Sequence, residues 1–337
     1  MRAVVLNAVG DVDHLRVEER SDPHPGPGEA VVRLRAAALN HRDVWIRKGQ
    51  YAGIKFPIIL GSDGAGEVAE VGPDVDPSWL GREVVIDPSF NWGPDDRAQD
   101  STFHILGLPV DGTYAEMVRI PAANLHPKPR PLSWEEAAAV PLASVTAYRA
   151  LVTRARLLAG ETVLITGIGG GVATTALVIA KRLGASVWVT SGHDSKLKAA
   201  RTHGAEGGVN HRRDDWTKTL ISEIGGRPDV VIDSAGGDTF NKALDVLKPG
   251  GRLVTYGSTL GSADRVEVRR IFWKQLNVLG STMGPPSDFA AMLKLYDSGL
   301  RPIIDKVFPL EQASDAHIRM EAGDQFGKIV LRMGTKD

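Results

Sequence analysis

Two patterns of apolar residues divide the chain into a strand-rich part and a part where strands and helices alternate. Across Ala30–Ala36, apolar side chains alternate with two arginines, which is the two-residue period of a half-buried strand. Glu67–Gly72 and Glu83–Ile86 predict further short strands, separated by glycine and proline. From Phe90 to Asp111 there is no period, and the Asp, Gly, Pro and Ser residues there predict a long surface loop.

From about Pro131 the pattern becomes that of alternating strands and helices. Ser133 followed by Glu136 is typical of the capping box at a helix start. The predicted elements that follow are the strands Thr162–Thr166, Ser186–Thr190, Asp229–Asp233 and Arg252–Tyr256, and the helices Val172–Leu183, Ser195–His203 and Thr239–Leu247. Such alternation predicts a parallel sheet with helices on both faces, so the fold class is α/β.

The pattern near the C-terminus changes once more. Ser287 is expected to cap a helix in which Phe289, Met292, Leu293 and Tyr296 follow the helical spacing of a buried face. The segment Lys328–Arg332 then predicts a strand.

Charge and length narrow the class of protein. The 337 residues suggest about two domains, and 40 Lys and Arg against 41 Asp and Glu give a net charge of −1. We therefore expect no nucleic-acid partner and no attraction to an anionic membrane. No apolar run is long enough to span a bilayer, and the N-terminus lacks the apolar segment of a secretion signal. The sequence predicts a soluble cytoplasmic protein.

The chain has no cysteine. This excludes disulfides, thiolate nucleophiles, iron–sulfur clusters and every zinc site built on cysteine. The nine histidines never occur at the spacing of a local ligand pair. We expect no metal ion, although a zinc site of scattered His and carboxylates is the alternative.

A glycine-rich loop joins the strand Thr162–Thr166 to an apolar helix. Glycine lets the backbone turn tightly and approach a pyrophosphate, which the N–H groups of the next helix then bind. The candidate pyrophosphate-binding residues are Gly167, Gly169, Gly170, Gly171 and Val172. Two registers of the fingerprint each fit in part, and a glycine-rich turn without a ligand is the alternative.

The residues at the end of the next strand indicate whether the cofactor is NAD or NADP. An NAD site requires an acidic residue about 20 residues beyond the loop, and Thr190-Ser191-Gly192 has none. We expect Ser191 to bind a 2′-phosphate, with Lys196 supplying charge. Asp194 is the contrary signal, with capping of the helix from Ser195 as its alternative role. NADP(H) is the predicted cofactor.

Several motifs together resemble the medium-chain dehydrogenase/reductase superfamily, end to end. They are Pro25-Gly26-Pro27-Gly28-Glu29, Leu39-Asn40-His41-Arg42-Asp43, Gly61-Ser62-Asp63-Gly64-Ala65-Gly66, Gly112-Thr113-Tyr114-Ala115-Glu116, Thr146-Ala147-Tyr148, the glycine loop and Gly250-Gly251-Arg252. The resemblance implies a GroES-like β-rich catalytic domain at residues 1–125 and 300–337. It also implies a Rossmann doubly wound domain that binds NADP at residues 126–299.

The zinc ligands of that superfamily are missing here. Asn40 stands where zinc members have the first Cys, and Ser62 where they have His. The third ligand falls in Pro141–Ser144, and the lobe that holds structural zinc corresponds to Phe90–Asp111. The chain most resembles the zinc-independent quinone oxidoreductase branch, which shares Leu-Asn-x-x-Asp followed by the aromatic-x-Arg-x-Gly of Trp45–Gly49.

The resemblance also implies contacts with the cofactor and an assembly. The further candidate cofactor residues are His41, Thr146, Asn210, Ser258, Ser281, Met283 and Lys328. Ser258 would lie at the edge of the cleft, Ser281 and Met283 beside the nicotinamide, and Lys328 near the NADP phosphate. Members of the superfamily are usually dimers or tetramers. The Leu276–Gly280 strand is either an edge that pairs across a two-fold axis or a central strand.

Without zinc, the chemistry that remains is hydride transfer from NADPH to an electrophilic acceptor. Quinones and α,β-unsaturated carbonyls, including enoyl thioesters, spread the incoming charge by conjugation, so they need only orientation and a hydrogen-bond donor. We expect the Asn40 amide to hold the oxyanion. Tyr51 would donate a proton or form an aromatic wall, and Asp43 would orient the site.

Two alternatives stay open. The chain is otherwise an alcohol dehydrogenase that works without the usual zinc ligands, or an NADPH-binding protein without catalysis. Metal analysis together with alcohol-dependent reduction of NADP⁺ distinguishes an alcohol dehydrogenase from the reductase. Tight NADPH binding without turnover identifies a binding protein.

Overall fold

Residues from both ends of the chain form one unit, and the middle of the chain forms another. The computed structural model describes residues 1–334. The first unit comprises residues 1–143 and 284–334, and the second comprises residues 144–283. Among the described residues, no helix has the length and apolar character needed to cross a bilayer.

The elements are numbered in chain order. The strands are β1 (Arg2–Leu6), β2 (Leu15–Glu19), β3 (Glu29–Ala38), β4 (Ile58–Ile59), β5 (Asp63–Val71), β6 (Glu83–Ile86), β7 (Ser89–Phe90), β8 (His104–Ile105), β9 (Met117–Pro121), β10 (Leu125–Pro127), β11 (Thr162–Ile165), β12 (Ser186–Ser191), β13 (Gly207–Asn210), β14 (Val230–Asp233), β15 (Arg252–Thr255), β16 (Asn277–Gly280), β17 (Ile304–Pro309) and β18 (Lys328–Arg332). The helices are α1 (His41–Arg47), α2 (Trp134–Ala138), α3 (Pro141–Tyr148), α4 (Gly171–Arg182), α5 (Asp194–Thr202), α6 (Trp216–Ile224), α7 (Gly237–Val246), α8 (Val268–Trp273), α9 (Pro286–Asp297) and α10 (Ala313–Ala322). A π-helical turn, Arg149–Arg154, follows α3.

The first unit is built on a seven-stranded sheet in the order β10-β6-β5-β3-β18-β17, with β9 also paired to β3. Strand β3 is central, since it pairs with β5, β9 and β18. The predicted alternation holds around Arg33 and Arg35, whereas both ends of the strand are buried on both faces. Strand β3 runs antiparallel to β5 and β18, so its C-terminal end lies beside the start of both strands. This register brings together Asn40, Asp63 and Lys328, which are far apart in the sequence.

The second unit has a six-stranded sheet in the order β13-β12-β11-β14-β15-β16. All its pairings are parallel, as the alternation of strands and helices predicts. Along the chain, β12 and β13 are added on one side of β11, and β14, β15 and β16 are then added on the other side. The sheet therefore has a switch point between β11 and β14, where open α/β sheets bind nucleotides.

The capping box at Ser133 is present, but the cap expected at Ser287 is wrong. Ser133 Oγ accepts from Glu136 N at 3.2 Å, and the Glu136 carboxylate accepts from Ser133 N at 2.9 Å. Helix α9 begins two residues earlier than expected, at Pro286, which suits the first turn because proline needs no amide partner there. Ser287 Oγ donates instead to Asp96.

The boundaries between the units lie inside the predicted ones. Helix α2 contacts strands β3 and β5, and His126 contacts Phe289 of α9 with ring centroids 4.8 Å apart. These contacts place α2 and α9 in the first unit, whereas the sequence-based boundaries assign both to the second. The helical pattern of α9 shows that one face is buried, but not which unit contains the helix.

One buried histidine gives the first unit a pH-dependent stability. Both ring nitrogens of His317 on α10 lack a hydrogen-bond partner among the described residues, and burial lowers its pKa to about 3, with a smaller contribution from Arg47. Because the folded-state pKa lies below that of the unfolded chain, the folded protein resists protonation, and stability falls as the pH drops below about 6.5.

We expect His317→Leu to lack this acid-side loss. At about 1.4 kcal/mol per pH unit, the wild type should lose about 2 kcal/mol more than the variant between pH 7.5 and pH 5. Urea unfolding at several pH values measures the difference, with the exposed His24→Leu as control. Parallel pH profiles for wild type and His317→Leu would contradict the assignment.

Candidate active site

A buried polar cluster lies where β3, β5 and β18 meet in the first unit. Lys328 Nζ donates to the Leu39 carbonyl at 2.7 Å, to Asn40 Oδ1 at 2.8 Å and to Asp63 Oδ2 at 2.7 Å. Asn40 Nδ2 donates to the same Asp63 oxygen at 3.0 Å. The side chains of Lys328 and Asp63 are 2% and 0% exposed, so water screens their charges little. The cluster is a desolvated ion pair bridged by one amide.

Asp63 is held from a second direction as well. Its Oδ1 accepts from the backbone N–H of Leu142 at 2.8 Å, near the start of α3. Its backbone carbonyl accepts from Thr113 Oγ1 at 2.8 Å. Both carboxylate oxygens therefore have donors, which fixes the orientation of Asp63 toward Asn40.

A second buried carboxylate, that of Asp43, accepts a hydrogen bond from the backbone of Asn40. Asn40 is the N-cap of α1, and Asp43 Oδ2 accepts from Asn40 N at 2.9 Å and from Tyr114 Oη at 2.8 Å. Burial raises the pKa of Asp43, and burial together with the Asp43 charge raises the pKa of Tyr114 well above its usual value. Through these contacts Asp43 orients the Asn40 backbone and Tyr114, and its role in the reaction stays a prediction.

Ser62 is hydrogen-bonded in a separate cluster with Arg42 and the Leu106 carbonyl. Arg42 Nη1 donates to Ser62 Oγ at 2.8 Å and to the Leu106 carbonyl at 2.9 Å, and Ser62 Oγ donates to that carbonyl at 2.7 Å. Arg42 also lies 5.4 Å from the ring centroid of Tyr51, which is 37% exposed. Tyr51 is therefore accessible, and its ring is held by Arg42.

These side chains do not fit a divalent metal. No group of three or more His, Asp or Glu side chains within residues 1–334 is placed to hold one. The Lys328 ammonium hydrogen-bonds to both Asn40 Oδ1 and Asp63 Oδ2, the oxygen atoms that a cation would need. A metal ion there would meet a fixed positive charge, so we derive no step through zinc.

The Phe90–Asp111 segment is a loop with one short hairpin, β7–β8, rather than a loop throughout. Trp92 is buried, and its ring contacts that of Phe103 edge-on with centroids 5.3 Å apart. Trp92 Nε1 donates to the Asp95 carbonyl at 3.1 Å. Aromatic packing thus contributes to the interior of this lobe.

The glycine loop of the second unit lies at the switch point of the sheet. Gly167 has φ of +65° and Gly169 φ of +137°, conformations that side chains disfavour. A Cβ on Gly170 would meet nothing within 4 Å, and the N-terminus of α4 has no side-chain cap. The first turn of α4, at Gly171 and Val172, thus has backbone N–H groups that no side chain caps, an arrangement that fits a pyrophosphate.

Hydrogen bonds to residues of β12 and β14 hold the glycine loop in place. Gly167 N donates to Thr190 Oγ1 at 3.1 Å, and Ile168 N to the Thr190 carbonyl at 2.8 Å. Thr166 Oγ1 donates to Asp233 Oδ1 at 2.6 Å. These bonds hold the loop in a fixed shape, which lowers the conformational entropy lost when a nucleotide binds.

The residues expected at the ribose occupy the ends of β12 and β13. Ser191 is buried, and its Oγ accepts from His193 N at 3.1 Å. Asn210 Nδ2 donates to Asp194 Oδ1 at 2.8 Å. Helix α5 starts at Asp194, with His193 as N-cap, so the expected capping by Asp194 is wrong. The roles of Ser191, Asn210 and Lys196 toward a cofactor stay predictions.

Met283, one of the two residues expected beside the nicotinamide, contacts Thr146, another candidate cofactor residue. Met283 is buried with φ of +41°, a strained value for a side chain, and its Sδ accepts from Thr146 Oγ1 at 3.9 Å. Ser281 Oγ is buried and lacks a hydrogen-bond partner among the described residues. An unpaired hydroxyl beside a strained backbone fits a carboxamide ligand. Ser258 Oγ, by contrast, donates to the Gly261 carbonyl at 2.5 Å.

The structure does not favour the expected contact between Lys328 and the cofactor, whereas the expected His41 contact stays a prediction. All three protons of the Lys328 ammonium are directed to oxygen atoms of the first unit, so none remains for a phosphate in this arrangement. The Lys328 contact with NADP therefore stays a prediction that this geometry does not support. His41 lies at the start of α1, with its ring 6.0 Å from that of Trp45.

Sequence reasoning missed Tyr114 and the pairing of Lys328 with Asp63. Tyr114 lies in a motif of the superfamily, but nothing in the sequence shows that its hydroxyl reaches Asp43. The signal for Lys328 was the apolar strand around it, since a lysine inside Lys328–Arg332 on a central strand requires a buried partner.

The chain matches two family models and full-length relatives. Residues 26–130 match the alcohol dehydrogenase GroES-like domain, and residues 171–298 match the zinc-binding dehydrogenase domain. The chain is 36% identical to "Zinc-type alcohol dehydrogenase-like protein YogA" of Leptosphaeria maculans, covering 95% of this chain and 94% of that protein.

Two solved structures are similar over nearly the whole chain. A crystal structure of an NAD-dependent alcohol dehydrogenase matches with a TM-score of 0.94 and 40% identity, covering 99% of this chain and 100% of that one. The 2-octenoyl-CoA carboxylase reductase CinF, in complex with NADP and 2-octenoyl-CoA, matches with a TM-score of 0.90 and 27% identity, covering 98% and 87%. The chain is an NAD(P)-dependent oxidoreductase and belongs to the medium-chain dehydrogenase/reductase superfamily.

Proposed function

We propose that the protein is a zinc-independent reductase that transfers hydride from NADPH to an α,β-unsaturated carbonyl, including enoyl thioesters, or to a quinone. The observation that carries the proposal is the Lys328 ammonium bound to both Asn40 and Asp63. A lysine there supplies fixed positive charge but no open coordination position. Oxidation of a simple alcohol then lacks the metal that lowers its pKa, whereas a conjugated acceptor does not need one.

The chain's own residues hold and protonate the acceptor. A nicotinamide held by the second unit would supply the hydride for the β-carbon of an enoyl acceptor, whose carbonyl oxygen then needs a hydrogen-bond donor for its developing negative charge. The Asn40 amide proton that does not bind Asp63 donates to that oxygen. Lys328 and Asp63 keep the amide oriented, and their buried hydrogen bonds prevent it from rotating. A proton from Tyr51 or from water then reaches the α-carbon.

NADP(H) is the cofactor that the second unit favours. No acidic side chain ends β12, and Asp194 is hydrogen-bonded to Asn210. The relative CinF binds NADP, whereas another relative is named NAD-dependent. The cytoplasmic location expected from the sequence stays a prediction.

We propose further that two chains pair through the edge of the second-unit sheet, giving a homodimer or, by further association, a homotetramer. Strand β16 is the last strand of that sheet, and Trp273 and Phe272 beside it are 81% and 64% exposed. An unpaired edge next to large exposed apolar side chains is typical of an interface.

We expect Trp273→Ser to lower the mass of the assembly toward that of one chain. Light scattering coupled to gel filtration measures this mass, with the exposed Leu158→Ser of the same unit as control. A wild type that is monomeric, or a variant with unchanged mass at low concentration, would refute the proposed interface.

An acceptor panel tests the proposed reaction. We expect oxidation of NADPH, faster than that of NADH, with a 2-enoyl thioester, an alkenal or 9,10-phenanthrenequinone. The alcohol dehydrogenase alternative predicts instead that simple alcohols reduce NADP⁺. Saturable NADPH binding with no turnover of any acceptor would favour a binding protein and contradict the proposal.

A further inference from the structure

Arg42 is a buried cation of the first unit that lacks a carboxylate partner. The residue is 6% exposed. Within residues 1–334, no Asp or Glu forms an ion pair with it, and all its hydrogen bonds come from Nη1. The acceptors of these two bonds, Ser62 Oγ and the Leu106 carbonyl, are neutral. Burial of a charge is costly unless an opposite charge compensates it, so an anion from outside the chain would be favoured here.

One edge of the Arg42 guanidinium has no hydrogen-bond partner. Both protons of Nη1 are directed to Ser62 and Leu106, whereas Nε is enclosed and unpaired, and Nη2 makes no hydrogen bond in the described part of the chain. The N–H groups of Nε and Nη2 are parallel and match the spacing of the two oxygen atoms of a carboxylate. The unpaired edge can therefore bind a carboxylate through two hydrogen bonds.

Asp43, the next residue, does not take this place. Its Oδ2 accepts from Asn40 N and Tyr114 Oη, and its Oδ1 is enclosed without a hydrogen-bond partner among the described residues. Burial raises the pKa of Asp43, and the positive charge of Arg42 partly opposes this rise. Arg42 thus acts on Asp43 through space, and the unpaired edge of its guanidinium stays available for a second anion.

Arg42 lies close to the cluster that is proposed to hold the acceptor carbonyl. Its Nη1 donates to Ser62 Oγ at 2.8 Å, and the next residue, Asp63, accepts from the Asn40 amide at 3.0 Å. The Cα atoms of consecutive residues are only about 3.8 Å apart. The guanidinium also lies 5.4 Å from the ring centroid of Tyr51, which is 37% exposed. A small molecule that enters past Tyr51 can therefore contact both Arg42 and Asn40.

We propose that Arg42 binds a carboxylate of the acceptor, so that the substrate is a conjugated carbonyl compound that also carries a carboxylate group. This role rests on the proposed function for the reaction itself, and it specifies the class of acceptor. The carbonyl oxygen accepts from the Asn40 amide, and the carboxylate accepts from Nε and Nη2 of Arg42. Ser62 is then a positioning residue, because it holds Nη1 and leaves the other edge of the guanidinium for the ligand.

Binding of levulinate against methyl levulinate tests the carboxylate site without turnover. Both ligands carry the same ketone, and only levulinate carries a negative charge. We expect calorimetry on the full chain, with saturating NADP⁺ and again with NAD⁺, to show at least about tenfold tighter binding of levulinate at pH 7, equivalent to about 1.4 kcal/mol. Arg42→Gln should bring the two affinities close to each other. Arg33→Gln, which removes an exposed charge on β3, should leave their ratio unchanged.

A conjugated pair, 4-oxo-2-butenoate and its methyl ester, tests the same selectivity in the reaction. We expect kcat/KM with NADPH to be at least about tenfold higher for the acid than for the ester, mainly through KM, since the carboxylate binds alike before and during hydride transfer. Arg42→Gln should lower kcat/KM about tenfold for the acid and less than about threefold for the ester. A general loss of structure would lower both values alike.

A conservative variant keeps the test valid if Arg42→Gln does not fold. Arg42→Lys retains the charge but lacks the paired N–H groups of Nε and Nη2, so we expect it to keep only part of the preference for levulinate. Urea unfolding of both variants is measured in parallel. Because Arg42 forms no ion pair with an Asp or Glu of residues 1–334, its replacement leaves no buried carboxylate without a salt-bridge partner, and we expect unfolding midpoints close to that of the wild type.

Each contrary result has a distinct meaning. Equal affinity of the wild type for levulinate and its ester, or an unchanged ratio in Arg42→Gln, would overturn the carboxylate site. Equal losses for the acid and the ester in Arg42→Gln would also overturn it, because Arg42 would then support the reaction or the fold in general. Reduction of neutral enals without preference for the acid would defeat this inference and leave the proposed function intact. Selective binding of levulinate by a protein that reduces no acceptor would support the site and defeat the proposed function.

Discussion

Replacing Lys328 with methionine is expected to lower the free energy of unfolding by about 3–5 kcal/mol and to abolish most turnover. Methionine keeps the length of the side chain but leaves the buried Asp63 carboxylate without its cation. Removing one partner of a buried ion pair is costly because the other charge stays desolvated. Denaturant unfolding measures the loss, and Lys306→Met, on the exposed side of the adjacent strand β17, is the control.

A double variant distinguishes the effect of breaking the ion pair from the effect of altered packing. Asp63→Asn still offers an oxygen to Leu142 N but carries no charge. We expect Lys328→Met/Asp63→Asn to be more stable than Lys328→Met alone, since the unpaired charge is gone. A double variant that loses the sum of the two single effects would show that Lys328 and Asp63 do not act as a pair.

Replacing Asn40 with alanine is expected to lower kcat about 10²–10³-fold with the acceptor that the wild type reduces. This is the effect of removing one hydrogen-bond donor from a developing oxyanion. The affinity for NADPH should stay within about twofold, because the glycine loop belongs to the second unit. Steady-state kinetics with a separate nucleotide titration measures both quantities.

Tyr51→Phe is the matched comparison for Asn40→Ala. Tyr51 is accessible to solvent, so water can replace its hydroxyl as the proton donor, and we expect a loss of less than about tenfold. If Tyr51→Phe lost more activity than Asn40→Ala, the roles of the two residues would have to be exchanged. An Asn40→Ala enzyme with unchanged kcat would remove Asn40 from the mechanism.

The sequence was informative wherever a local pattern decides the structure. The two-residue period around Ala30–Ala36 and the alternation after Thr162 determine which segments form strands, and glycine at positions 167 and 169 reports positive φ directly. The same locality explains why the order of the two units was predictable. It depends only on where each pattern begins and ends.

Features that depend on contacts between distant segments were not predictable in this way. Lys328 is 265 residues from Asp63, and its partner became clear only from the register of β18 on β3 and of β3 on β5. The membership of α9 in the first unit likewise depends on its contact with His126. Helical spacing shows that a face is buried, but it does not show which core buries it.

Zinc-independent reduction is tested most directly by the rate of NADPH oxidation with a 2-enoyl thioester in excess chelator, on protein whose metal content is measured in parallel. We expect the same rate with and without chelator, and less than about one-tenth of a metal ion per chain. A rate that falls in chelator and returns with added zinc would contradict zinc-independent reduction, because a catalytic metal would then lie where the structure shows the Lys328 ammonium.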